Sequence, residues 1–158
     1  MRTSLKTGFS FGLTSGVITT VGLMVGLHAG THSKAVVLGG ILTIAVADAM
    51  SDALGIHIAE ESKNHGNEAE IWESTLAAFA AKFVIAGTFV LPVLFLPLDQ
   101  AILASLGWGL SLLAVLSYYL ARAQRISPWK VIGEHVLIGL FVVTITHYLG
   151  AWVQGRFT

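Results

Sequence analysis

The sequence predicts an all-α integral membrane protein with five transmembrane helices, and two observations carry this prediction. The chain of 158 residues is 54% hydrophobic and only 11% charged, whereas a soluble domain has about 25% charged residues. Its apolar residues also fall into five runs, each long enough for the roughly 20 residues of helix that cross a bilayer. We therefore expect a single transmembrane domain over residues 1–158.

The five predicted spans follow one another through short connections. We expect them at about residues 8–28, 34–61, 71–96, 100–121 and 129–152. A short polar loop, residues 62–70, separates the second span from the third. Pro97 marks the turn before the fourth span, and Pro128 begins the fifth. Pro92 lies inside the third span, where we expect a kink or an early end because proline has no N–H to donate.

Basic residues predict the orientation of these spans. The N-terminus and two of the connections hold Arg2, Lys6, Lys63, Arg122, Arg125 and Lys130. The opposite side holds only Lys34 and Arg156. Since cytoplasmic loops carry an excess of lysine and arginine, we expect a cytoplasmic N-terminus in a cell or organelle membrane.

The first span carries six glycines in two runs of every fourth residue. These are Gly8, Gly12, Gly16, Gly22, Gly26 and Gly30. They fall within about a third of the helix circumference, and a face of small residues lets another helix approach closely. Two interpretations follow: a homodimer interface, which we favour, or packing against another span of the same chain.

Two aspartates in the second span are the most informative residues of the chain. Asp48 and Asp52 are one helical turn apart, so they share a face, together with Ser51. A carboxylate at mid-membrane costs about 3 kcal/mol on insertion scales, so the pair needs a cation, a proton or a basic partner. The pattern predicts an ion or proton site, and its oxygen ligands favour Mn²⁺, Mg²⁺ or Fe²⁺.

Lys82 provides the alternative interpretation of the aspartate pair. Asp52 precedes Glu61 by nine residues and Lys82 follows Glu73 by nine, so both lie about 13 Å from the same boundary. Lys82 is therefore expected to pair with Asp48 or Asp52. In this interpretation the ion pair between Lys82 and the aspartates is structural. Alternatively, Lys82 occupies the aspartate site until a metal ion displaces it, or it carries the coupled proton.

Further polar residues are predicted at the cytoplasmic end of the spans. His57 and Glu61 share a face of the second span, and Glu134 lies one turn inside the fifth. With Asp48, Asp52 and Ser51 they make up the predicted metal ligands, and His57 joins Lys82 as a group for proton coupling. The alternative is an ordinary solvated interface.

Several short motifs resemble the vacuolar iron transporter family, which includes nodulin-21-like proteins. Residues 8–14, GFSFGLT, resemble its opening motif G-x-S-D-G-L-T, and residues 49–55, AMSDALG, resemble A-x-S-M-A-x-G. Pro92 and Pro97 are similar to the paired prolines that end the family's third span. Pro128 and the pair at 138–139 are similar to its fifth span.

The resemblance implies a five-helix homodimer that exports Fe²⁺ or Mn²⁺ from the cytosol in exchange for protons. It also implies a metal path near the dimer interface, lined by the first two spans. Three positions depart from the family: Phe11 replaces an acid, Asp52 a methionine and Ile56 a glutamate. The short loop 62–70 stands in place of the family's acidic cytoplasmic helices.

Two functional hypotheses remain. The first is a divalent metal transporter that needs no cofactor beyond its transported ion, with lipid and a second copy as partners. The second is a structural or regulatory membrane subunit that keeps the fold without transport. The balanced charge, nine basic and nine acidic residues, gives no indication of nucleic-acid binding. The chain has no cysteine and no hydrolase or nucleotide motif, so we expect no enzyme.

Overall fold

Five long helices form the part of the chain that the computed structural model describes, residues 3–63 and 67–157. They are α1 (Thr3–Thr31), α2 (Lys34–Glu61), α3 (Glu68–Phe95), α4 (Leu98–Gln124) and α5 (Pro128–Phe157). All five are long and apolar enough to cross a membrane, and they confirm the predicted all-α architecture and number of helices. Arg2 and residues 64–66 of the predicted loop 62–70 lie outside the described residues.

The helices run alternately up and down, and α1 lies at the centre. From the start of α1 to its end, the residues that it contacts on α3 and on α5 have increasing residue numbers. These three helices are therefore parallel. In contrast, Asp52 of α2 meets Lys82 of α3 and His57 meets Thr75, which makes α2 antiparallel to α3. The starts of α1, α3 and α5 therefore share one end, here called the N-terminal end of the bundle.

The glycines of α1 pack against helices of the same chain. A Cβ atom at Gly8 or Gly12 would overlap a backbone carbonyl oxygen of α3. Towards the other end, a Cβ atom at Gly26 or Gly30 would stand 3.2 or 3.3 Å from a backbone carbonyl oxygen of α5, a tight contact without overlap. All six glycines lie against α3 or α5 of the same chain, so packing within the chain, the second interpretation, accounts for them. The homodimer stays a prediction, but these glycines contact their own chain.

Local chemistry explains where several helices begin and change. The Ser33 side chain accepts a hydrogen bond from the N–H of Val36 at the start of α2. The regular hydrogen bonding of α3 is interrupted at Phe89, three residues before Pro92, and helix resumes over Val90–Phe95. This is the break expected from Pro92, which has no N–H and whose ring crowds the carbonyl four residues back.

A π-helical turn, Ile44–Asp48, interrupts α2. Buried residues of α2 recur at every fourth position, and in a straight α-helix each such step drifts by 40°. The N–H of Ala49 donates to the carbonyl of Ile44, five residues back, so the turn is wider and removes part of this drift. As a result Ala49 and Ala53 remain buried on the same side as Ile41.

Candidate functional site

Lys82 is the most completely buried charged residue among those the structure describes. Its side chain has no exposed area and lies where α1, α2 and α3 meet. Gly16 makes room for it, because a Cβ atom there would stand 3.3 Å from Cα and Cγ of Lys82. The ammonium therefore lies inside the protein and not at its surface.

Three oxygen atoms surround the Lys82 ammonium. Its Nζ lies 2.6 Å from Oδ2 of Asp48, 2.5 Å from Oδ2 of Asp52 and 3.0 Å from Oγ of Ser15. An ammonium has three N–H groups, so each one has an acceptor. The sequence left open which aspartate pairs with Lys82, and the structure shows contact with both.

Ser15 completes this cluster, and sequence reasoning did not find it. Its hydroxyl accepts from Lys82 and donates to Oδ2 of Asp52 over 2.6 Å. Several hydroxyl residues lie nearby on α1, and nothing in the spacing separates Ser15 from Thr14 or Thr19. The one available signal was its position beside Gly16, on the side of α1 that approaches α3. We call Ser15, Asp48, Asp52 and Lys82 the ion cluster.

The ion cluster is closed on the lysine side and partly open on the aspartate side. The Asp48 side chain is 37% exposed and that of Asp52 is 21% exposed, against none for Lys82. With all three groups ionised, two carboxylates and one ammonium leave a formal charge of −1. One further positive charge at the open side, from a proton or a cation, would neutralise the cluster.

The π-helical turn ends at Asp48, so the backbone is irregular where the first carboxylate leaves α2. From Ala49 onward the helix is regular, and Asp48 and Asp52 keep the one-turn spacing that brings both oxygens to one ammonium. Turns of this kind occur often at functional sites. No proline and no glycine lies between residues 44 and 48, and the turn was not predicted.

The other predicted metal ligands lie apart from the ion cluster. Ser51 is exposed on α2, and Glu61 is exposed at the end of that helix. The Glu134 side chain is 57% exposed and lies 3.9 Å from Lys130 on its own helix. Within residues 3–63 and 67–157, no group of three or more histidine or acidic side chains is placed to hold a metal ion.

His57 lies between the ion cluster and the N-terminal end of the bundle. Its Nδ1 is 3.0 Å from Oγ1 of Thr75 on α3, and its ring packs edge-on against Trp72. It follows Asp52 by five residues, which is about 7.5 Å along the helix axis. His57 is therefore adjacent to the ion cluster but not part of it.

A second polar group lies at the opposite end of the bundle. His28 Nε2 is 2.8 Å from Oδ1 of Asp99, whose side chain is 86% exposed. Both line a cavity of about 470 Å³ that also includes His147. Lys34 donates to the carbonyl of Leu94 in the last turn of α3 and to that of Leu96, the residue that follows the helix. Lys34 thus satisfies carbonyl groups that a helix end leaves without partners.

Comparison with known protein families, with curated proteins and with solved structures found no match to this chain. The resemblance to vacuolar iron transporters therefore rests on its short motifs alone. The geometry of the ion cluster stands independently of it.

Proposed function

We propose that this chain is a membrane transporter of divalent metal ions, which binds Mn²⁺ or Fe²⁺ at Asp48 and Asp52 and exports it from the cytosol in exchange for protons. The observation that carries the proposal is the Lys82 ammonium, held within 2.6 Å of both carboxylates. The carboxylates are already arranged around one positive charge. Carboxylate and hydroxyl oxygens are also ligands that Mn²⁺ and Fe²⁺ accept.

Charge balance gives the proposed exchange its stoichiometry. Uncompensated charge is costly inside a bilayer, so the neutral states of the cluster are favoured. Without metal, neutrality requires the Lys82 ammonium, one carboxylate and one protonated aspartate. With a divalent ion, it requires two carboxylates and a neutral lysine amine. The change from one state to the other releases two protons for each ion bound.

The partly exposed side of Asp48 and Asp52 is the side from which the ion would approach. Lys82 closes the other side and has no exposed area. His57 follows Asp52 by five residues on α2, about 7.5 Å along the helix axis towards the N-terminal end. We assign it the transfer of protons between the cluster and that end.

The proposed transporter is a homodimer whose interface lies on the exposed face of α2. This face carries small residues at every fourth position: Ala35, Gly39, Thr43, Ala47, Ser51, Gly55 and Ala59. A Cβ atom added at Gly39 or Gly55 would meet nothing within 4 Å, so the face is open to a partner. Small residues favour close helix contact in membranes, and Asp48 lies beside this face.

Transport by proteoliposomes tests the assignment of the site. Mn²⁺ uptake into the vesicles, driven by protons that leave them, is measured for the wild type, Asp52→Asn and Asp99→Asn. Asp99 is the matched control, because it is a largely exposed aspartate at the far end of the bundle. We expect flux to fall at least tenfold in Asp52→Asn and to persist in Asp99→Asn. Unchanged flux in Asp52→Asn would refute the site.

Cysteine crosslinking tests the interface, since the chain has no cysteine of its own. Oxidation of Ser51→Cys in membranes should give a disulfide-linked dimer. Leu137→Cys on α5, whose side chain is 67% exposed, is the control and should stay monomeric. Crosslinking of the control alone would place the interface on α5 instead.

A second candidate function is a structural or regulatory membrane subunit that does not transport. It is favoured by one observation: within the described residues, no group of three or more histidine or acidic side chains is placed to hold a metal ion. The thermal stability of the purified protein distinguishes the two candidates. A shift with millimolar Mn²⁺ that is lost in Asp52→Asn supports transport, and no shift in the wild type supports the structural role.

A further inference from the structure

A cavity of about 350 Å³ lies between α1, α4 and α5 at the N-terminal end of the bundle. It arises from the path of α1. The first half of α1 packs on α3 through Gly8 and Gly12, and the second half packs on α5 through Gly26 and Gly30. The first half of α1 is thereby drawn away from α5, which leaves a space between them.

One wall of the cavity is a line of polar side chains on α1. Lys6, Ser10 and Thr14 follow each other at one-turn intervals and all line the cavity. None of the three has a hydrogen-bond or ion-pair partner within the described part of the chain. These donors are therefore available to a ligand. They extend over eight residues, about 12 Å along the axis.

The remaining walls are largely apolar and contain no acidic group. Leu13, Leu116 and Leu120 line them, and Ala123 lies towards the end of α4. His135 of α5 also lines the cavity, and Ser117 holds its ring. The Ser117 hydroxyl donates to the carbonyl of Leu113, so it accepts from Nδ1 of His135 over 2.7 Å.

We propose that this cavity binds an anionic phospholipid, with its phosphate at Lys6 and Ser10 and its acyl chains along the leucines of α4. Basic pockets between transmembrane helices are known sites for anionic headgroups. The volume of about 350 Å³ suits the headgroup and the first part of the acyl chains, and the rest of the chains would extend out of the cavity. The absence of any acid from the lining favours an anion over a zwitterion. The inference rests on the proposed membrane location but not on the transported ion.

Lipid binding is measured with the purified full-length protein and three probes. These are dioctanoyl phosphatidylglycerol, dioctanoyl phosphatidylcholine and glycerol 1-phosphate, each titrated while thermal stability is followed. We expect the phosphatidylglycerol to raise the melting temperature at concentrations at which the other two have little effect. An equal response to phosphatidylcholine would overturn the preference for an anion. An equal response to glycerol 1-phosphate would overturn the role of the apolar wall.

Two variants and a control locate the binding. Lys6→Gln should weaken the apparent affinity for phosphatidylglycerol about fivefold, in line with the contribution of one lysine to anionic lipid binding. Lys130→Gln removes the same charge at the same end, on an exposed side chain outside the cavity, and should change it less than twofold. Equal losses in both variants would show general attraction to the membrane and refute the site.

The second variant, Ala123→Phe, keeps every charge and adds an aromatic ring to the cavity wall, so the cavity is narrowed. It should weaken the response to phosphatidylglycerol, and an unchanged response would also refute the site. Mn²⁺ transport is measured in parallel, and Ala123→Phe is expected to retain it. Unchanged Mn²⁺ flux in Asp52→Asn with a normal response to phosphatidylglycerol would refute the proposed function alone, whereas lost flux in Asp52→Asn with no lipid response in the wild type would refute this inference alone.

Discussion

Replacement of Lys82 by methionine tests the central idea that an internal cation occupies the metal site. Methionine keeps the length of the side chain and removes its charge. In the wild type, a divalent ion either lies about 4 Å from the Lys82 ammonium, with a repulsion of about 2 kcal/mol in water and about 8 kcal/mol at an effective dielectric of 20, or displaces the lysine proton as in the proposed exchange. Neither cost exists in Lys82→Met. The Asp48 side chain is 37% exposed but that of Lys82 has no exposed area, so the lower figure is a minimum. We therefore expect Lys82→Met to bind Mn²⁺ at least about 30-fold more tightly.

Calorimetry with purified protein measures this change, and two controls accompany it. Lys82→Arg keeps the cation and should show no gain. Lys130→Met removes a lysine that is 77% exposed and should leave the affinity unchanged. Loss of the buried partner should also cost about 3–5 kcal/mol of stability, so folding of each variant is checked by circular dichroism. A folded Lys82→Met that binds no more tightly than the wild type would refute the reasoning.

Three further predictions concern the packing and polar contacts. In thermal unfolding, Gly12→Ala should lower stability by about 2–3 kcal/mol, because the new Cβ overlaps the Ala78 carbonyl oxygen. The control Gly107→Ala has free space for its Cβ and should raise stability by up to about 1 kcal/mol. Ser15→Ala should cost about 1–3 kcal/mol in the same assay, since both Asp52 and Lys82 lose a hydrogen-bond partner, and equal stability would contradict the role of this hydroxyl. Asp99→Asn should cost less than about 1 kcal/mol, because its bond to His28 lies at the surface; a larger loss would contradict that estimate.

The sequence was sufficient to predict the five helices but not their ends. Hydropathy locates the apolar part of each helix, so the first span was expected over residues 8–28. The helix continues to Thr3 and Thr31 because backbone hydrogen bonding does not require apolar side chains. Pro92 was a more specific signal, since its missing N–H has a fixed structural consequence, and the break at Phe89 follows from it.

The sequence predicted only those residues of the candidate site whose charge would be unfavourable inside an apolar helix without a partner. A lysine and two aspartates inside apolar helices each need a partner, and counting residues from the boundaries placed them at one depth. Ser15 carried no such cost, since a hydroxyl in a helix can bond to its own backbone, as Thr19 does. The glycines of α1 indicated a close neighbour, but spacing does not tell whether that neighbour belongs to the same chain.

The way the helices pack bears on why the ion cluster exists. α1 is held to α3 by backbone contact at Gly8 and Gly12, away from the charges, and to α5 by Gly26 and Gly30. The bundle therefore has a source of cohesion that does not require ionised groups. Replacing a buried ion pair by apolar residues is often neutral or stabilising, so a purely structural need would be met at lower cost by leucine or methionine. A cluster with two carboxylates for one ammonium, open on the carboxylate side, instead fits the proposed binding of a second positive charge.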